Sequence, residues 1–467
     1  MRGDLLSDPV EGLDEALAAV DAFDEALVAG LLRPGPAQAA AFAGLADAVA
    51  GTPLAARVAE AAGRATAGVA GEDHFVALAA ARCALLGSVH DALTQRIDEA
   101  VGRPTAEDGA EESRAGSAAA DPGTNLLAAA RSWLCDLARG GWRGIDHELV
   151  AGAAPVVSAM LPDPGLRRRA TLLDGFAAEL AASCPGATLE RVPVRRWADL
   201  WSRALLLTVP GSAGERSVTP VTGRLLPLGV DVQEHATAVQ AQVHAVFEPA
   251  DGGAPRLVRA GVSAPKPDTV VGAGLWQLLR PRISLLGAVS EGRSMELDAM
   301  PVTAEGDLLW DDGRARPGEP ADTFATARVM LSTAIAARVT PLDRHPVRIA
   351  VPVLLEGYTA RSEEDRLVFD LAGWSLAVDP DRAPAAGPLT PEAVAASHSC
   401  VGLLRWDAGE FLLQPLAVEA TVRKKAVAAH AGAWAGGTTD KAGVRAERAA
   451  TDAVAVLRER AGRLLRK

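Results

Sequence analysis

Apolar residues recur every three to four positions through the first half of the chain and every second position beyond about Val218, a change of period from helix to strand. Leu13, Leu17, Val20 and Leu27 share one helical face, while Asp14, Glu15, Asp21 and Glu25 occupy the others; Pro34 and Gly35 then stop the helix. The clearest helix is predicted over 72–101. Phe75, Leu78, Leu85, Leu86, Val89, Leu93 and Ile97 form its stripe, and Gly102 and Pro104 lie just past its end. Residues 102–123 are rich in Gly, Ala, Ser and acid (Glu107, Asp108, Glu111, Glu112), and they bury too little to offset ordering entropy. They are expected to be a flexible linker. Helical patterning resumes at Leu126 and runs through Leu207, broken at Gly140-Gly141 and Pro162-Asp163-Pro164.

In the second half Val239, Ala241, Val243, Ala245 and Phe247 alternate with Gln240, Gln242, His244 and Val246, as a half-buried antiparallel strand requires. Met295, Leu297 and Ala299 alternate in the same way, and 290–293 is expected to turn a hairpin between them and a strand over 283–289. Val347 to Leu355 forms another apolar row, whose Pro352 points to a sheet edge or a bulge. One helix is expected inside the β region, over 322–338, with Phe324, Ala327, Leu331 and Ile335 buried. A last amphipathic helix is expected over 440–467. Leu308-Leu309-Trp310-Asp311-Asp312-Gly313 resembles Leu404-Arg405-Trp406-Asp407-Ala408-Gly409. Each suits a tight turn with Gly at positive φ, and the pair is either two ordinary turns or the trace of a duplicated β module.

The pattern therefore predicts an α+β multidomain protein. It has an Ala-rich helical N-terminal half, an antiparallel, barrel- or sandwich-like and possibly duplicated C-terminal half, and a terminal amphipathic helix. Its expected parts are 1–101, the linker 102–123, a helical region 124–210, a β region 215–430 and the helix 440–467. A chain of 467 residues exceeds what a single core supports.

Composition narrows the function classes. The Ala- and Arg-rich, Lys-poor usage is that of a GC-rich genome. The net charge of −12 and the single tyrosine, Tyr358, argue against general nucleic-acid binding. Cys83, Cys135, Cys184 and Cys400 are scattered and are expected to be reduced thiols in a cytoplasmic protein. The first residues lack a basic stretch leading into an apolar run, and no long uncharged apolar run suggests membrane insertion.

No stretch names a reaction. The five lysines miss the frame of a phosphate loop, and Gly272-Ala273-Gly274 lacks the third glycine of a dinucleotide fingerprint. In Gly261-Val262-Ser263-Ala264-Pro265 a proline replaces the second glycine of a serine-hydrolase elbow. Ser88, His90 and Asp91 point to different sides of one helix. Glu234, His235 and His244 fit solvent-face strand positions, and Asp146-His147-Glu148 fits a helix start. No cofactor and no metal site is expected. Trp197 and Trp201, flanked by Arg195, Arg196 and Arg203, suit a recognition surface, although their broad apolar face also suits a core helix. In the terminal helix Leu457 and Leu464 lie on an apolar stripe, and Arg458 and Arg463 belong to a basic cluster that opposes the acidic run Asp4 to Glu25. The helix is thus a candidate docking element for an acidic protein partner or for the chain's own N-terminus. The expectation is a non-catalytic interaction protein, a scaffold or adaptor. The alternative is an enzyme or small-molecule binder with a pocket in the β region, such as a metal-independent hydrolase.

Overall fold

Helical periodicity and the Ala-rich composition resolve into a layered helical domain: α1 (Asp4–Ser7), α2 (Leu13–Ala29), α3 (Pro36–Ala48), α4 (Ala55–Thr66), α5 (Glu72–Val101), α6 (Thr124–Gly140), α7 (His147–Ala151), α8 (Ala153–Met160), α9 (Arg167–Ala182) and α10 (Val194–Leu206). The computed structural model describes residues 2–103, 123–211, 218–235, 237–336, 339–363, 366–371, 373–383 and 385–464. Most of the segment expected as a linker thus lies outside the described residues. Phe23, Phe42, Phe176, Trp142, Trp197 and Trp201 anchor the helical core. Phe23 meets Phe42, and Trp142 meets both Phe176 and Trp197, edge to face, the Trp142 and Trp197 centroids being 5.8 Å apart, in the arrangement aromatic quadrupoles prefer.

α5 has the bounds its stripe predicts, and it serves two cores. Phe75, Leu78 and Leu86 face the helical domain, whereas Val89, Leu93 and Ile97 enter the core of a β barrel further along the chain. Gly102 stops the helix in the left-handed region at φ 74°, where glycine has no Cβ to clash. By length and composition α5 is apolar enough to cross a membrane, yet more than half of that stretch is buried inside the protein.

The first barrel contains β1 (Val218–Glu234), β2 (Ala238–Pro249), β3 (Arg256–Pro265), α11 (Leu275–Leu279), α12 (Leu285–Ser290), β4 (Arg293–Thr303) and β5 (Asp307–Leu308). It is followed by β6 (Ala315–Pro320) and α13 (Thr323–Met330). β1 pairs with β2 and with β4, and β3 runs parallel to β5, so the order β1-β2-β3-β5-β4 closes on itself. Val239, Ala241, Val243, Ala245 and Phe247 point inward, on the alternation read from the sequence.

The second barrel contains β7 (Val351–Glu356), β8 (Thr359–Glu363), β9 (Arg366–Leu371), β10 (Trp374–Val378), α14 (Pro391–Ala395), β11 (Ser399–Asp407), β12 (Glu410–Val422) and β13 (Lys425–His430). Gly357, at φ 72°, separates β7, which pairs with β11, from β8, which pairs with β9. Taken together as one bent strand, β7 and β8 occupy the place of β1. β9, β10, β11 and β12 then repeat the places of β2, β3, β4 and β5, including the parallel β10–β12 pair. With a helix between the third and fourth strands, both halves have the connectivity of oligonucleotide/oligosaccharide-binding barrels, which speaks to architecture and not to ligand. Pro352 sits at an edge of the second sheet path, where its missing N–H is tolerated. The chain closes with α15 (Lys441–Leu464).

Three local readings change. The stretch 283–289 is not a hairpin strand: Leu285–Ser290 is helical, and Leu285, Leu286, Ala288 and Val289 are all buried, so no solvent face exists to impose alternation. The helix expected over 322–338 spans only Thr323–Met330. Asp322 caps it, Phe324, Ala327 and Leu331 are buried as foreseen, and Ile335 instead pairs its backbone with Pro255 and Leu257. The two Trp-Asp turns are not equivalent. Ala408 and Gly409 form the β11–β12 turn at positive φ, between the fourth and fifth strands, whereas Trp310 follows the fifth strand of its barrel.

The barrels meet across α13, whose Phe324 and Ala327 join Leu226, Leu228 and Val246 on one side and Val401 and Ala417 on the other. Gly229 lies so close to the second barrel that a Cβ there would come within 2.7 Å of the Leu416 Cβ.

Candidate interaction surface

Trp197 and Trp201 lie on α10 with no solvent exposure, so the recognition surface read from them is not available on the folded protein. Trp197 Nε1 donates to Glu179 Oε1 at 3.1 Å and Trp201 Nε1 to the Leu134 carbonyl at 2.9 Å. The flanking arginines are engaged as well: Arg195 with Asp21, Arg196 with Glu179 and Arg203 with Asp343. Burial of the two indoles outweighs any interface role, because the broad stripe that carries them is the stripe of a core helix.

α15 divides into two unlike parts. Its first turns dock on the first barrel through Ala446, Ala450, Ala453 and Val454. Gly274 makes this approach possible, since a Cβ there would stand 2.5 Å from the Ala450 Cβ; the Gly272-Ala273-Gly274 turn is thus a helix-docking surface. Gln277 Nε2 donates to the Glu447 carbonyl at 2.8 Å, and Arg280 Nη2 to Glu447 Oε1 at 2.9 Å. Beyond Val454 the helix leaves the barrel. Val456 and Leu457 are 45% and 42% exposed, and Arg458, Arg460 and Arg463 stand in solvent, with Arg463 paired to Glu459. The side chain of Leu464 is outside the described residues.

A groove of about 520 Å³ opens on the second barrel. One wall is the segment Leu6 to Asp14; the other is built by β9, β10 and the β11–β12 hairpin. Arg96 fixes the first wall by donating to the Leu5 and Asp8 carbonyls, and Gly3 is pressed so tightly against the Trp374 ring that no Cβ would fit. Val368, Leu376 and Phe411 are buried in its lining, with Trp406 packed edge-on to Phe411 at 4.9 Å. Asp8, Asp14, Glu363 and Glu410 line it against one guanidinium, Arg366, which already donates to Glu410 at 2.6 Å. Apart from the acidic run Asp4 to Glu25, no sequence signal marks this groove, because its walls come from stretches hundreds of residues apart.

The buried titratable groups are clamps between parts of the fold. Arg82 forks onto Asp24, with Nε–Oδ1 2.6 Å and Nη2–Oδ2 2.8 Å, and its Nη1 reaches Asp199 at 2.7 Å. Burial pushes the Asp24 carboxyl up to about 6 against the pull of Arg82. Asp199 also takes His345, from the segment joining the barrels. Burial opposes its ionisation, but His345 and Arg82 hold the carboxyl below its ordinary range. Asp343 is likewise held down at about 2: burial opposes this, and Arg203, Thr340 and Arg348 overcome it. Between the barrels, Asp231 accepts from Arg405 Nη2 at 2.9 Å and Gln414 Nε2 at 2.8 Å, beside a cavity of about 380 Å³. His244, paired in register with Gly229, is buried near Asp231, Arg259 and Arg405. Among the described residues its Nε2 has no partner, and burial lowers its pKa to about 4.

The remaining candidates resolve locally. His235 lies in the β1–β2 turn, so it and His244 are not brought together. Asp146 caps α7 by accepting from the Leu149 N–H at 2.8 Å, and His90 bonds its neighbour Asp91. Burial raises the Cys83, Cys135 and Cys400 thiols, Cys135 to about 12, which suppresses the reactive thiolate. Among the described residues no group of three His, Cys, Asp or Glu side chains is placed to hold a metal ion. Comparison with known proteins returns nothing: no family model, no curated protein and no solved structure matches the chain.

Proposed function

We propose that the protein is a non-catalytic interaction protein, a scaffold or adaptor, that presents its C-terminal helix to a protein partner. The observation that carries this reading is the division of α15. Its proximal turns are locked to the first barrel, while Val456 and Leu457 remain exposed beside Arg458, Arg460 and Arg463. A helix with an apolar centre and a basic surround suits a partner with an apolar cleft and an acidic rim. The four free thiols fit a reducing, cytoplasmic compartment.

The test is partner capture by the full-length protein, by a version lacking residues 456–467 and by Leu457→Glu. Support requires a partner retained by the full chain at low salt, released as salt rises, and lost from both variants while their melting is unchanged. Capture that survives both changes overturns the reading. The cavity beside Asp231, Arg405 and Gln414 favours a second reading, a binder of a small polar molecule. A small-molecule panel that raises the melting temperature of the wild type but not of Asp231→Ala would favour it.

A further inference from the structure

We infer that the partner of the exposed end of α15 is a second copy of this chain, which receives it in the acidic groove of the second barrel. The inference rests on the interaction reading above and names its partner. The two surfaces carry opposite charge: four carboxylates and one arginine line the groove, and arginines crowd the helix end. The groove sets Asp8, Asp14, Glu363 and Glu410 over Phe411 and Leu376, which are themselves almost wholly buried. Glu410 is paired with Arg366, Glu363 with Arg361 and Asp8, at 3.9 Å, with Arg96, whereas among the described residues Asp14 has no cation within ion-pair distance. The helix end offers Val456 and Leu457 with three arginines against one glutamate, which is itself tied to Arg463. No described residue of α15 lines the groove of its own chain, and Gly274 and Ala450 hold the helix root on the other barrel. Covering the exposed Val456 and Leu457 while matching opposite charges favours the pairing, and it steers encounter at low salt. A reciprocal exchange of helices closes a two-fold dimer, whereas a one-way contact propagates head to tail.

The test is sedimentation of the intact protein from low to high micromolar concentration, at low and at high salt. The expected result is a mass that rises with concentration toward two chains or more at low salt and returns to one chain at high salt. A tail-reversed variant, Arg458→Glu with Arg460→Glu and Arg463→Glu, and a groove-reversed variant, Asp8→Lys with Asp14→Lys and Glu410→Lys, should each associate at least tenfold more weakly. Mixed together they should associate again, because the acidic tail now meets a basic groove. That rescue is an outcome misfolding of either variant does not produce. A single-chain mass for the wild type at every concentration, or no rescue in the mixture, overturns the inference. A photo-crosslinker in place of Leu457, activated in the cells that make the protein, separates the two levels. A self-adduct supports both, an adduct with a different protein overturns the second-copy inference and leaves the interaction reading standing, and no adduct overturns both.

Discussion

Cutting α15 at two places separates the part of the helix that belongs to the fold from the part that does not. Removing 440–467 strips Ala446, Ala450, Ala453 and Val454 from the first barrel and exposes the bed around Gly274 and Trp276. Those side chains carry six methyl or methine groups. At about 0.8 kcal/mol for each one fully buried, and with only Ala450 wholly enclosed, their loss costs roughly 3–4 kcal/mol. The bonds from Gln277 and Arg280 to Glu447 add about 1 kcal/mol between them after solvent screening. Deleting 456–467 removes described side chains that are already solvated, apart from the partly covered Gly462, so its cost stays within about 0.5 kcal/mol. Hydrogen exchange of peptides covering the Gly272-Ala273-Gly274 turn and α11 reads the difference directly, since they lie under the helix. At 1.4 kcal/mol per decade, the longer deletion should speed exchange there by roughly three decades and the shorter one by less than threefold. Equal acceleration by both cuts, or none by the longer, refutes the division of the helix on which the proposed function stands.

Other parts of the fold make equally direct predictions. Trp201→Ala should destabilise the helical domain by about 3–5 kcal/mol by emptying its place in the core and removing the indole donor to the Leu134 carbonyl, with Trp201→Phe costing much less; chemical denaturation checks the order. Asp231→Ala should cost about 3–5 kcal/mol by leaving Arg405 buried without its carboxylate, whereas Asp231→Leu with Arg405→Met should recover most of that loss. His244 has a lower pKa in the folded state, about 4, than in the unfolded chain, where it is near 6.5. The unfolded state therefore binds the extra proton between these values, and stability falls as pH falls from 6.5 toward 4. The wild type should lose up to about 3 kcal/mol more than His244→Gln across that interval, and parallel pH profiles would count against the buried neutral imidazole.

The sequence was most legible where one physical constraint acts on contiguous residues. The stripe from Phe75 to Ile97 yields α5 to the residue, and the alternation from Val239 to Phe247 yields the inward face of β2, although on its other face His244 and Val246 are buried as well. Where apolar residues fill both faces the period vanishes. The run 283–289 was therefore ambiguous, and only its packing under β4 selects a helix. Trp197 and Trp201 show the complementary difficulty: tryptophan beside arginine describes a hot spot and a core helix with a charged margin equally well, and solvent exposure alone separates them. The duplicated connectivity was legible only in outline, since a barrel repeats through pairing partners and not through matching turns. The likeness of 308–313 to 404–409 falls at inequivalent places, while the true correspondence, β1 with β7 and β8, is broken by Gly357 and shares no local pattern. The groove was the least legible feature of all. Asp14 sits on an unremarkable helix start and Glu410 in an ordinary hairpin, and neither charge has meaning until α5 and Arg96 hold the N-terminal segment against the second barrel. Such a site is a property of tertiary proximity. Its signal in the sequence is limited to two things: an acidic run at one end of the chain without basic neighbours, and a basic helix at the other end with more charge than its own packing requires.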